Sequence, residues 1–172
     1  MRTMLRVFTT GGTLDKVYFD ALSEYQVGEP AAMSVFKANR VDVPYEITPL
    51  MRKDSLELTD EDRALICRAV LEADEDRILI THGTDTMAVT ARALQQALGG
   101  QPHKSVVLTG ALLPGAFRDT DAVFNLGFAL GALQAMAGGV RLAMNGRLFD
   151  PARVRKDREA GRFVEDPAPA NG

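Results

Sequence analysis

The chain has 172 residues, 46% of them hydrophobic and 25% charged, which is the balance of an ordinary globular protein with one domain and a buried core. The formal net charge of -3 argues against a nucleic-acid-binding surface, and no apolar run is long enough to span a membrane. Because the chain shows no signal-peptide pattern and its one cysteine cannot form an internal disulfide, we expect a cytoplasmic protein.

The chain begins with a predicted strand over residues 4–9, followed by a turn that contains two glycines. Gly11 and Gly12 permit a tight turn and a close approach of the backbone to a ligand. Their spacing differs from the dinucleotide-binding fingerprint, which has three glycines and opens a helix. Thr13 comes next, so a hydroxyl is predicted at the end of this strand.

Residues 17–30 show neither helical nor strand periodicity. Connections of this length are often functional, so we predict a loop or lid that carries Tyr18 and Tyr25. The alternative is a surface loop whose tyrosines pack at its base.

Two helices and a strand are predicted in the next part of the chain. A weak helix covers residues 31–39, and an alternating pattern predicts a strand over residues 41–48. A strand-to-helix connection over residues 49–55 leads to a helix over residues 59–73. That helix begins with a threonine N-cap followed three residues later by Asp62, and an acidic first turn suits the helix dipole.

The middle of the chain joins a strand directly to a helix. The apolar run 77–80 predicts a buried parallel strand, and residues 87–94 have helical spacing. Thr84 and Asp85 lie between them, where open α/β sheets bind their ligands. The alternative is that Thr84 and Asp85 only cap the helix, as both residue types do well.

Two strands and one helix are predicted in the last third of the chain. The strands cover residues 105–108 and 140–144, and the helix covers residues 122–137. Because this helix is apolar on more than one side, we expect the sheet to cover one face and a neighbour, such as another copy of the chain, to cover the other. Residues 165–172 have nothing to bury and are predicted to form a disordered tail.

The alternation of strands and helices predicts an α/β fold, a doubly wound and mostly parallel sheet with helices on both faces, in a single domain over residues 1–164. Ligands bind such sheets at the carboxyl ends of the strands, so hydroxyls and acids after several strands are expected to converge there. These residues are Thr13, Asp54 with Ser55, Thr84 with Asp85, and Thr109.

The remaining reactive side chains are interpreted as structural. The spacing of histidines and cysteines indicates no metal site, and we predict neither a metal nor a cofactor. His82 precedes a glycine in a turn and is interpreted as a structural residue, and His103 as a surface residue. Cys67 lies on an apolar helical pattern and is interpreted as a small core thiol.

Three motifs together resemble the bacterial-type L-asparaginase family. They are Thr10-Gly11-Gly12-Thr13, then Thr81-His82-Gly83-Thr84-Asp85-Thr86, and then Val107-Leu108-Thr109-Gly110-Ala111 with the later Asn125-Leu126. Each motif is moderately specific, and their order and spacing strengthen the match. The resemblance runs along nearly the whole chain but covers only the first of the family's two domains, as in a short, single-domain asparaginase.

The resemblance implies roles for four residues. Thr13 matches the family's nucleophile, Thr84 its second threonine, and Asp85 the adjoining aspartate that holds the substrate's α-amino group. Lys156 matches the lysine that partners this second pair. The alternative for Lys156 is one cation in a basic, solvated helix around residues 153–158.

The resemblance also implies two loop elements of the site. It puts the loop that binds the substrate carboxylate at Asp54 and Ser55, although the preceding Arg52-Lys53 departs from the family pattern. The family's loop tyrosine is either Tyr18 or Tyr25, and the sequence does not choose between them.

The implied reaction is hydrolysis of L-asparagine to L-aspartate and ammonia through an acyl-enzyme on Thr13. A threonine hydroxyl is a weak nucleophile, so a neighbouring tyrosine or lysine must act as its base. Backbone N–H groups at Gly12 or Gly83 are candidates for stabilising the oxyanion. The alternatives are an amino-acid-binding sensor domain without turnover and an amidase for another small amide.

The expected partners are L-asparagine and further copies of the chain. A crevice open on one side would expose the bound amino acid to water and weaken its ion pairs. The helix over residues 122–137 carries more apolar surface than one buried face requires, and such a surface usually marks an interface. We therefore expect a symmetric homo-oligomer, a dimer or tetramer, with residues 18–30 as a lid over the crevice.

Overall fold

The computed structural model describes residues 4–19, 24–101 and 103–167, and its centre is a six-stranded sheet. The six strands are β1 (Leu5–Gly11), β4 (Tyr45–Lys53), β5 (Arg77–Thr81), β6 (Ser105–Thr109), β7 (Gly139–Met144) and β8 (Arg147–Phe149). Their order across the sheet is β4-β1-β5-β6-β7-β8.

The first five of these strands run parallel, and only β8 at one edge is antiparallel. Thr9 in β1 is paired with Thr81 in β5, and Thr81 is paired with Thr109 in β6. The carboxyl ends of the three central strands therefore lie level at one edge of the sheet. The predicted mostly parallel α/β sheet is confirmed.

Four helices in the described part of the chain cover the two faces of the sheet, as the doubly wound prediction requires. They are α1 (Ala31–Ala38), α2 (Asp60–Glu72), α3 (Met87–Ala97) and α4 (Ala122–Ala135). One apolar layer contains Ile66 from α2 and Leu94 from α3. The other layer contains Phe36 from α1 and Leu126 from α4. Burial of these side chains on both faces is the main force that holds the sheet between the helices.

Helix α2 begins as its sequence predicts. The Thr59 hydroxyl accepts a hydrogen bond from the backbone N–H of Asp62, and the Asp62 carboxylate accepts one from the backbone N–H of Thr59. This capping box satisfies two backbone donors at the start of the helix.

Two short hairpins correct the sequence predictions. The predicted loop over residues 17–30 contains β2 (Lys16–Phe19) paired with β3 (Glu24–Val27), while residues 20–23 lie outside the described part of the chain. The basic segment predicted as a possible helix is instead β9 (Val154–Asp157) paired with β10 (Arg162–Glu165). Each strand has four residues, which is too short for the two-residue period of a strand to stand out.

Two predicted boundaries also move. Strand β4 begins and ends later than the predicted strand over residues 41–48, and it includes Pro49. Proline is tolerated there because β4 is the outermost strand of the sheet, and its outer side has no neighbouring strand that needs a backbone N–H donor. Glu165, predicted as the first residue of the tail, lies in β10, and the backbone N–H of Asp166 donates to the carbonyl of Arg153. Residues 168–172 of the predicted tail lie outside the described residues.

Helix α4 is apolar on two faces, as predicted. Leu126 and Leu133 are buried against the sheet, whereas Phe124 is 60% exposed and stacks on Phe128. No helix in the described part of the chain is both long and apolar enough to cross a membrane.

Candidate active site

The turn after β1 packs directly against the turn after β5. Gly12 has φ 81° and ψ -176°, a combination that is essentially restricted to glycine. A Cβ atom on Gly12 would lie 2.4 Å from the Cα of Gly83. The backbones of the two turns are therefore in contact, and each turn continues into a threonine, Thr13 in one and Thr84 in the other.

Ser55 supports the Gly83 turn from behind. A Cβ atom on Gly83 would lie 2.6 Å from the Cβ of Ser55, so the turn can approach only because it has no side chain there. The hydroxyl of Thr86 donates to the Ser55 carbonyl at 2.7 Å, and the Ser55 hydroxyl accepts from the Thr86 backbone N–H at 3.4 Å. These contacts bring the loop after β4 to the same edge of the sheet.

Lys156 reaches from the β9–β10 hairpin to both residues that follow Gly83. Its Nζ donates to Thr84 Oγ1 and to Asp85 Oδ1, each at 2.8 Å. The side chains of Lys156 and Asp85 are 18% and 29% exposed. Helix α3 has Thr86 as its N-cap residue, and no side chain caps it. The alternative that Thr84 and Asp85 only cap the helix is therefore wrong.

Asp54 forms an ion pair with a lysine that follows Thr13. The Nζ of Lys16 is 2.8 Å from Asp54 Oδ2, and Asp54 Oδ1 accepts from the backbone N–H of Leu56. The Lys16 hydrogen bond is the main reason that the pKa of Asp54 lies below its usual range, and the charge of Lys156 lowers it further. Asp54 is therefore an anion that Lys16 binds directly and that the charge of Lys156 stabilises from further away.

The Thr13 hydroxyl makes no hydrogen bond with any residue that the structure describes, although the side chain is half-buried. Tyr18 and Tyr25 are a cross-strand pair in the β2–β3 hairpin, with ring centroids 5.4 Å apart. Both are about half exposed, and Tyr25 also contacts the ring of Phe117. Neither tyrosine hydrogen-bonds Thr13 within the described residues, so the geometry leaves the choice between them open.

Two residues near the strand ends are structural. The Thr109 hydroxyl donates to the Ala143 carbonyl, so it is not directed to the site, and the predicted convergence is wrong at this position. His82 is fully buried, and its ring nitrogens contact the Gly83 carbonyl and the Thr90 hydroxyl. Loss of solvation lowers the pKa of His82 to about 4, so the ring is neutral. The structural interpretation of His82 is confirmed.

The other two residues interpreted as structural also lie where expected. His103 is exposed, with its Nε2 3.5 Å from Asp76. The Cys67 thiol packs against the core, and burial raises its pKa. No group of three or more histidine, cysteine, aspartate or glutamate residues within the described chain could hold a metal ion.

Three charged residues near the site were missed by the sequence analysis. Lys16 follows Thr13 by three residues, which places it at the same edge of the sheet, and that spacing could have indicated it. Arg158 lies 3.8 Å from Asp85 but was assigned to a solvated helix. Asp15 is buried, and its carboxylate accepts a hydrogen bond from the Ala31 backbone N–H. Burial raises the pKa of Asp15 to about 7.

Comparisons with known sequences match most of the chain. The family model described as "Asparaginase, N-terminal" matches residues 4–162. The L-asparaginase of Thermococcus kodakarensis is 36% identical over 166 residues, which are 91% of this chain and 48% of that protein. One component of the glutamyl-tRNA(Gln) amidotransferase of Archaeoglobus fulgidus is 31% identical over 178 residues, which are 92% of this chain and 40% of that protein.

A comparison with solved structures also finds an L-asparaginase, here by the similarity of the fold. The thermostable L-asparaginase from Thermococcus kodakarensis superimposes with a TM-score of 0.82 and 29% sequence identity, covering 96% of this chain and 52% of that chain. The chain therefore spans about half of the length of the relatives that it matches, or less.

Proposed function

The chain belongs to the asparaginase family, and from this premise we propose that it hydrolyses the side-chain amide of L-asparagine to L-aspartate and ammonia. The observation that carries the proposal is the contact of Lys156 with both Thr84 and Asp85 beside the Thr13 turn. Such a set offers a nucleophile, a proton-handling group and an anion for the substrate ammonium in one place.

Thr13 is the nucleophile of this proposal. Its Oγ1 attacks the carbon of the side-chain amide, and its proton passes to a neighbouring base, with Tyr18 and Tyr25 as candidates. The C–N bond then breaks, the nitrogen takes up a proton, and ammonia leaves. Water attacks the resulting aspartyl ester, and the Thr13 oxygen leaves with a proton. Backbone N–H groups at Gly12 or Gly83 stabilise the oxyanion in both steps.

Thr84 supplies the proton for the leaving group. Because the Nζ of Lys156 donates to Thr84 Oγ1, the hydroxyl proton of Thr84 is directed away from Lys156. That proton is therefore free to donate to the departing nitrogen, and Thr84 Oγ1 takes a proton from the Lys156 ammonium as it does so. The proton that the attacking water releases in the second step restores Lys156.

Asp85 binds the substrate's α-ammonium. It already accepts a hydrogen bond from one cation at 2.8 Å, and it keeps a second carboxylate oxygen for another donor. On the other side of the turn, Asp54 and Ser55 belong to the loop proposed to hold the substrate carboxylate.

Purified protein can be tested for ammonia release from L-asparagine and from other small amides, beside calorimetry with L-aspartate. We expect release from L-asparagine, with less from L-glutamine. In the presence of hydroxylamine, an ester on Thr13 yields L-aspartate β-hydroxamate, whereas direct attack by water yields none. Binding of L-aspartate without ammonia release would instead indicate a sensor domain, and preference for unrelated amides would indicate a broader amidase.

We also propose a symmetric homo-oligomer, a dimer or tetramer, in the cytoplasm. The support is the exposed apolar side of α4, where Phe124 and Val123 face solvent and the helix carries no charged residue. Light scattering at micromolar concentration, with Phe124→Asp beside wild type, tests the assembly. We expect an oligomer for wild type and a shift to monomer for the variant, and a monomeric wild type with full activity would contradict the proposal.

A further inference from the structure

A cavity of about 540 Å³ lies at the base of the β2–β3 hairpin. The start of β2, the first turn of α1 and the loop after β6 enclose it. Its volume is in the range of sites for small molecules. The described residues that line it include none of the threonine, aspartate and lysine side chains proposed for hydrolysis. Most of the wall is apolar, and its apolar residues include Leu14, Val17, Pro30, Met33 and Ala116.

Asp15 is a buried carboxylate in the wall of this cavity. The residue is only 3% exposed, and its Oδ1 accepts a hydrogen bond of 2.8 Å from the backbone N–H of Ala31. The second oxygen, Oδ2, accepts no hydrogen bond from any described residue, yet it is not one of the atoms that the fold seals from solvent. Because Asp15 lines the cavity, we infer that this oxygen is open to the cavity.

The charge of Asp15 has no partner in the described chain, unlike the other two charges of the wall. Lys16 is paired with Asp54 at 2.8 Å, and Glu29 is paired with Arg52 at 2.7 Å. Burial raises the pKa of Asp15 to about 7, although a backbone hydrogen bond and the charge of Arg52 both lower it. The ionised carboxylate has therefore lost water without gaining a counterion.

We propose that this cavity binds a small primary amine, with its ammonium on Asp15 Oδ2 and its hydrocarbon part against the apolar wall. An ammonium supplies both the hydrogen-bond donors and the positive charge that the carboxylate lacks. An anionic ligand would be repelled by the ionised carboxylate, and a ligand without a donor would leave Oδ2 unmatched. The proposal does not depend on hydrolysis of L-asparagine.

Calorimetry with benzylamine and with benzyl alcohol tests the proposal, since the two probes share a ring and only the amine carries a charge. At pH 8 we expect wild type to bind benzylamine more tightly than benzyl alcohol. Asp15→Asn keeps an acceptor for the Ala31 N–H but removes the charge. It should weaken benzylamine at least about tenfold and benzyl alcohol less than about twofold. Equal affinities of the two probes for wild type would overturn the proposal, as would no binding of benzylamine.

Proton release gives a second measure of the same contact. At pH 7 about half of the Asp15 side chains carry a proton, and an ammonium that binds the ionised form expels it. Binding of benzylamine should therefore release up to about half a proton per ligand, seen as a difference between the heats in phosphate and in Tris buffer. Asp15→Asn should release none. Benzylamine binding to wild type at pH 7 without proton release would contradict a contact with Asp15.

Two further variants separate this cavity from the site proposed for hydrolysis. Asp85→Asn is the matched control, because Asp85 is the other carboxylate proposed to hold an ammonium. It should leave the affinity for benzylamine within about twofold of wild type. Ala116→Phe adds a ring to the wall while Asp15 stays intact, and it should abolish binding of both probes. Loss of benzylamine binding in Asp85→Asn but not in Asp15→Asn, or unchanged binding in Ala116→Phe, would overturn the proposal. None of these measurements uses ammonia release, so an inactive wild type would overturn the hydrolase proposal alone.

Discussion

Substitution of Gly12 by alanine tests the contact between the two turns that builds the site. A Cβ atom on residue 12 would lie 2.4 Å from the Cα and 2.5 Å from the N of Gly83, whereas ordinary van der Waals contacts begin near 3.4 Å. The turns must separate by about 1 Å to relieve this overlap. Both of the colliding atoms are backbone, so no side-chain rotation can absorb the change.

Two terms set the size of the effect on stability. Overlap in a packed region costs about 1–3 kcal/mol, and a non-glycine residue at φ 81° and ψ -176° costs about 1–3 kcal/mol more. The free energy of unfolding of Gly12→Ala should therefore fall by about 2–6 kcal/mol. Because Thr13 moves with residue 12, kcat/KM should fall about 100-fold, the size expected for a displacement of about 1 Å.

Urea unfolding and ammonia release measure the two effects. Gly161→Ala is the matched control, since Gly161 also has positive φ, at 61°, but a Cβ there would meet no atom within 4 Å. This control should lose about 1 kcal/mol and keep its activity. If Gly12→Ala were as stable and as active as Gly161→Ala, the backbones of the two turns would not be in contact.

Two further variants test the charges in and beneath the site. Lys156→Met removes the donor to Thr84 and Asp85, so kcat should fall about 10²–10⁴-fold and the free energy of unfolding by about 1–3 kcal/mol. A kcat within twofold of wild type would exclude Lys156 from proton handling. Asp15, with its pKa raised to about 7, binds its proton more tightly in the folded state. Its contribution to the free energy of unfolding is therefore lost as pH rises from about 4 to about 7, by at most about 4 kcal/mol. His82, with its pKa lowered to about 4, acts in the opposite direction, since stability is lost as pH falls below about 6.5. The two slopes oppose each other in wild type, so in Asp15→Asn the loss of stability towards pH 4 should become steeper in urea unfolding, and an unchanged profile would contradict the raised pKa.

The central sheet could be predicted from the sequence because its strands are continuous apolar runs. Ile78, Leu79 and Ile80 are all fully buried, as a strand covered on both faces requires. The short hairpins could not be predicted, because β2 is exposed along most of its length and β9 is mostly charged. Val154 in β9 and Phe163 in β10 are buried, but one buried residue in each four-residue strand gives no readable period.

The residues at the strand ends of the site could be predicted from the sequence, but the pairing of its charged side chains could not. Thr13 and Thr84 follow β1 and β5, and fold topology alone brings such positions together. Lys156 is 72 residues from Thr84 in sequence, so only the family resemblance indicated their pairing. Lys16 with Asp54 and Arg158 with Asp85 are also distant pairs, and no sequence period marks a contact between separate loops.

The most direct test of the central claim is ammonia release from L-asparagine by wild type, Thr13→Ala and Thr13→Ser under the same conditions. Thr13→Ser keeps the hydroxyl, so we expect it to retain measurable activity beside an active wild type. Thr13→Ala lacks the nucleophile, and we expect its kcat to be at least about 10³-fold lower, with its unfolding transition close to that of wild type. Ammonia release by Thr13→Ala at the wild-type rate would contradict the claim that Thr13 forms the acyl-enzyme.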